Sequence, residues 1–230
     1  TWAAFDLHPE FRYPRLRRSI PGLRLVVMTR DAREAICAAL FWRGDPGSRA
    51  ARDARFKHSL IMFCLGMQVG RGLARQWPDD VEILDFNALV SGDRAERQHV
   101  ARKFGISVDA VDAAYDFTPD FHFEPDKGFH LPDGRWQNLL TATELNEISV
   151  LTSQNAIPEP KTARPRWPFL LFARGVLAVG RISPGLARAI ADVVYYPRRY
   201  VSRHINSIRR LASDIAHELG RAHQARGPAS

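Results

Sequence analysis

A chain of 230 residues, 45% hydrophobic and 25% charged, can bury one sizeable core, or one core with an appendage, and its composition is that of an ordinary globular protein, not a disordered or fibrous one. The sequence has no uninterrupted run of about 18 apolar residues that could span a bilayer and no signal-peptide order of basic, apolar and small residues in its opening Thr1-Trp2-Ala3-Ala4. The net charge of +8 is unevenly placed: from Lys161 onward thirteen Lys and Arg face three acids.

Taken in chain order, Leu23 to Thr29 is a short, nearly continuous apolar run after Pro21-Gly22, the pattern of a buried parallel strand. Asp31 stands as N-cap for a helix over 32–42, so strand, loop and helix form a βα unit. A turn-rich loop at 44–48 precedes a long helix over 53–76, whose stripe is Phe56, Leu60, Phe63, Cys64, Met67, Gly70 and Leu73. Residues 81–86 alternate as a second strand. Two short helices follow, over 94–104 and 107–115, separated at Gly105. Residues 116–136 show neither period and predict a long loop of the kind that often binds ligands. Thr141 and Glu144 make a capping box for a helix to Thr152. Beyond a Pro-rich linker at 158–166, helices are expected over 169–179, after Pro184 and over 199–219. Cys37 and Cys64 lie in apolar surroundings without CxxC spacing, which argues for reduced core thiols and against a zinc site or disulfide framework.

The strand followed by Arg30-Asp31-Ala32-Arg33 resembles the strand–Arg-Asp-Pro-Arg–helix segment of sulfotransferases that use 3′-phosphoadenosine 5′-phosphosulfate. Lys127-Gly128, Gly134-x-Trp136 and Leu140-Thr141 resemble that family's Arg-Lys-Gly, Gly-x-Trp and Phe-Thr loop. The strand at 81–86 with Asn87-Ala88-Leu89 and Phe104-Gly105-Ile106 is similar to the segment between them, so the likeness covers residues 1–155. His8 precedes Arg30 by about the interval at which cytosolic members carry a strand-end histidine.

The resemblance implies an α/β fold with a P-loop-NTPase-like parallel sheet flanked by helices, incomplete at the N-terminus, and a basic helical C-terminal extension. It divides the chain into a sulfotransferase-like domain at 1–157, the linker at 158–166 and the extension at 167–230. It implies transfer of a sulfuryl group to a hydroxyl or amine, with His8 as general base, Arg30 gripping the donor's 3′-phosphate, and Lys127 and Gly128 closing over it. No metal is called for, and a cytoplasmic location is expected. Departures from the family pattern include Ala38 in place of a serine, Asp126 in place of an arginine and Asp6 in place of a lysine. The Pro-Lys-Ser-Gly-Thr-type loop for the 5′-phosphosulfate has no counterpart. It is expected upstream of Thr1, the alternative being a homologue that has lost transfer and binds a partner.

The acceptor, small molecule or glycan, is not specified; Arg12, Tyr13, Phe41, Trp42, Phe121 and Phe123 are candidates for the lining of its cleft. Residues 167–230 suit packing or oligomer contact, or a peripheral role at an anionic membrane surface. Polyanions are a further possibility for the tail, but no nucleic-acid motif accompanies the charge.

Overall fold

The computed structural model describes residues 9–41, 46–90, 93–111, 134, 136–152 and 164–197; the helix expected over 199–219 lies outside them. Two parallel strands, β1 (Leu25–Thr29) and β2 (Val81–Asp85), pair from Leu25 opposite Val81 to Thr29 opposite Asp85. Parallel pairing requires a crossover. Two helices, α2 (Ala32–Phe41) and α3 (Arg49–Gln76), lie between the strands in sequence. The described residues form an α/β arrangement in which helix predominates over this small parallel sheet.

Leu25 and Val27 of β1 bury against Val81, Leu73 and Tyr13. Tyr13 opens α1 (Tyr13–Ser19) and is core rather than cleft lining: it is 1% exposed, its hydroxyl donates to the Leu23 carbonyl at 3.0 Å, and its ring meets Trp77 edge-on. The expectation that it lines a substrate cleft is therefore corrected. An aromatic with one polar tip is suited to a buried site that offers the tip an acceptor.

Asp31 caps α2 as expected, its Oδ1 accepting from the Arg33 backbone N–H at 2.8 Å. The long helix α3 starts earlier than its apolar period suggests, because the Ser48 hydroxyl accepts from the Ala51 N–H and sets the first turn. Its buried face is also wider. Phe56, Leu60, Gly70 and Leu73 are buried as the stripe requires, and Ile61, Met62 and Leu65 join them. The helix needs that width because it packs on α2, the strands and three later helices.

Phe86, expected in the second strand, instead opens α4 (Phe86–Val90). The Asp85 carboxylate accepts from the N–H groups of Asn87 and Ala88 at 2.8 and 3.2 Å, which turns the chain into helix one residue sooner. Asp93 caps α5 (Arg94–Phe104) in the same way. After a short turn, α6 (Trp136–Leu139), α7 (Ala142–Thr152) begins with the expected capping box. Thr141 N donates to Glu144 Oε2 at 2.8 Å, and Glu144 N to Thr141 Oγ1 at 3.3 Å.

The basic region contributes α8 (Trp167–Ile182) and α9 (Pro184–Tyr195). The former runs beyond its expected bounds because Pro168 occupies the first turn, where no backbone N–H is required. Leu170, Ala173, Val176, Ala187 and Ala191 share one core with Ile36, Leu40, Phe56 and Leu60. Burying each large aliphatic side chain there contributes roughly 1.5–3 kcal/mol before entropy is counted. Two glycines permit the close approaches: a Cβ on Gly70 would meet Val27 Cγ1 at 2.9 Å, and one on Gly180 would meet Leu65 Cδ1 at 2.3 Å.

Candidate functional site

Both strands end at a cleft of about 1800 Å³. In open sheets of parallel strands the carboxyl ends are where ligands bind, since loops there are free to vary while the sheet holds them in place. Thr29, Arg30 and Asp31 come from the end of β1, and Asp85 and Asn87 from the end of β2. One flank is α3, with Arg71 and Arg75; the other is α8, with Arg174 and Arg181. Those four arginines are exposed and have no ion-pair partner among the described residues.

The two carboxylates of the cleft offset only part of this charge. Arg33 clamps Asp31, with Nε donating at 2.9 Å and Nη2 at 2.5 Å. Burial pushes the Asp31 carboxyl pKa up, but the hydrogen bonds from Arg33 outweigh it and leave it below the usual carboxylate range. Asp85 is occupied by the backbone N–H groups of α4. The cleft therefore presents surplus cations, an environment that attracts anions.

Arg30 is the cation at the end of the strand. Its Nη2 lies 3.8 Å from Glu34 Oε2, and its guanidinium sits 5.0 Å from the centre of the Phe86 ring. Its Nε is buried without a hydrogen-bond partner among the described residues, and so is Oδ1 of Asn87 in the same cleft. A buried polar atom left unpaired costs roughly 1–3 kcal/mol, so each of these atoms gains most from a ligand that supplies the missing partner: an acceptor for Arg30 and a donor for Asn87.

Two motifs singled out in the sequence meet in space. The Arg33 guanidinium stacks 4.2 Å from the centre of the Trp136 ring, which brings the Gly134-x-Trp136 segment onto the turn after β1. Ala38 is exposed on the same face of α2 as Glu34, four residues further on. His8, Lys127, Gly128 and Asp126 lie outside the described residues, as do Trp42, Phe121, Phe123 and the side chain of Phe41. Cys64 also lines the cleft; burial pushes its thiol up to about 12, so at neutral pH it is a protonated wall residue.

The arginines of α3 and α8 were not assigned a role from sequence. Their spacing carried half the signal, since four and seven residues apart put each pair on one stripe of its helix. Which stripes face each other is decided by packing alone.

No family model matches the chain, and neither a curated protein nor a solved structure matches it.

Proposed function

We propose that this chain carries a sulfotransferase-like domain that binds 3′-phosphoadenosine 5′-phosphosulfate. The observation that carries this reading is Arg30, held just past the carboxyl end of a parallel strand with a buried N–H that has no partner among the described residues. A forked guanidinium at that place suits a phosphate, whose oxygens accept charge-assisted hydrogen bonds. The excess of arginine in the cleft supports the same class of ligand. The P-loop-NTPase-like sheet of that family belongs to this reading as the finer form of the α/β arrangement.

In the reaction so read, a hydroxyl or amine of the acceptor attacks sulfur in line. The new bond to sulfur forms as the bond from sulfur to the bridging oxygen breaks, and the nucleotide leaves as 3′,5′-bisphosphoadenosine. His8 takes the acceptor's proton, and Arg30, with Lys127 and Gly128, holds the 3′-phosphate. Much of the rate in such transfers comes from positioning and from charges already in place.

Calorimetry with 3′,5′-bisphosphoadenosine and with adenosine 5′-monophosphate tests the nucleotide half. The bisphosphate should bind more tightly, and Arg30→Ala should weaken it about 10- to 100-fold, the scale of a lost hydrogen bond to a charged group. Equal affinity for the two nucleotides, or a variant that binds unchanged, overturns the reading.

A further inference from the structure

We infer that the outward face of the α8–α9 hairpin docks on an anionic lipid surface. Buried positions of α8 recur at Phe169, Leu170, Ala173, Val176 and Gly180. The opposite side should be polar on a helix that faces water. It is instead apolar: Trp167 is 55% exposed, Leu171 65% and Ile182 91%. The next helix, α9, also exposes large apolar side chains: Leu186 is 55% exposed, Val193 43% and Val194 50%. Exposed large hydrophobics in such a series mark an interaction surface.

Charge decides what covers it. Arg174 and Arg181, which also border the cleft, stand at the edge of the stripe, three residues after Leu171 and Ala178, exposed and with no ion-pair partner among the described residues. Helix α8 has no acidic residue. The single acid of α9, Asp192, bonds His58 Nε2 at 2.8 Å and turns toward α3. A second copy of this chain, paired face to face, would bring these cations toward their own equivalents without carboxylates to receive them. A surface of lipid phosphates receives them, and acyl chains receive Leu171 and Ile182. Trp167 at the start of the stripe has the amphipathic ring favoured at headgroup level. No described helix is long and apolar enough to cross a bilayer, so this contact lies along the surface.

Sedimentation with vesicles of phosphatidylcholine alone, and of phosphatidylcholine with phosphatidylglycerol, tests the inference on the whole chain. The chain should pellet with the anionic vesicles only, and rising salt should release it. Leu171→Asp with Ile182→Asp should abolish pelleting; both positions are exposed, and circular dichroism confirms the fold. Arg174→Gln with Arg181→Gln, which leaves the apolar stripe intact, should lower partitioning about thirtyfold. Three results overturn the inference. One is absence of pelleting with anionic vesicles. Another is unchanged pelleting by both double variants, which would place binding elsewhere in the basic region. The third is light scattering that shows a stable dimer dispersed by Ile182→Asp.

Discussion

Arg33 joins two distant parts of the chain: its guanidinium is fastened to Asp31 on one side and lies 4.2 Å from the centre of the Trp136 ring on the other. Asp31 also caps α2, so cap, clamp and stacked ring form one unit at the edge of the strand end. A double-mutant cycle of Arg33→Met and Trp136→Leu, followed by urea unfolding, should give a coupling of about 1 kcal/mol, the scale of a partly desolvated cation on an indole. Additive effects of the two substitutions would show the ring merely lies nearby.

Glu147 on α7 is fully buried and accepts from Arg166 three times, from its backbone N–H at 3.0 Å and from Nε and Nη2 at 2.7 Å. Arg166 also pairs with Asp53, which is held by Lys57. The hydrogen bonds that Arg166 donates to Glu147 are the chief reason its pKa is raised. Glu147→Gln keeps the shape and should cost about 2 kcal/mol, with the exposed side of Arg166 softening the loss. Arg166→Met strands a buried carboxylate and should cost about 3 kcal/mol. Denaturant midpoints measure both, and reversal of that order would refute the assignment.

Acid should unfold the protein through three carboxylates. Burial raises the pKa of Asp31, Asp53 and Glu82, but partners outweigh it: Arg33 for the first, Lys57 and Arg166 for the second, and His99 and Lys103 for the third. All three end below their ordinary values, so the unfolded chain binds protons first as pH falls. Their stabilisation is complete above the unfolded pKa of about 4 and is lost as pH drops through the lower folded values. Urea midpoints should hold steady from neutral pH to about 5 and fall below 4, and Glu82→Gln should flatten that fall. A midpoint that climbs on acidification contradicts the sign.

Two glycines on α8 should respond oppositely to the same change. Space around Gly175 is open, so Gly175→Ala gains helix propensity of about 1 kcal/mol. At Gly180 the new methyl would lie 2.3 Å from Leu65 Cδ1, and overpacking of that kind costs roughly 1–3 kcal/mol. Thermal melts that move together would show that α8 does not pack on α3 at this point.

What the amino-acid order determined unaided is local. Asp31 as a cap, the Thr141–Glu144 box, a strand ending at Thr29 and a helix closing before Pro78 each depend on residues within one turn of each other, and all stand as the residues require, although the strand starts at Leu25, two residues after the apolar run begins. Boundaries moved where a side chain bonded unexpectedly: Asp85 began a helix at Phe86, and Ser48 lengthened α3. Only the tertiary structure decided that Tyr13 is core, that Trp136 rests on Arg33, and that arginines from α3 and α8 share a cleft with Arg30. Hydrophobic period tells a helix which side to bury but not against which neighbour, because apolar burial is non-directional and many partners would satisfy it. The partner is chosen by shape: Gly70 lets α3 approach Val27 of β1, Gly180 lets α8 approach Leu65 of α3, and the side chains gathered at the strand ends follow from those approaches.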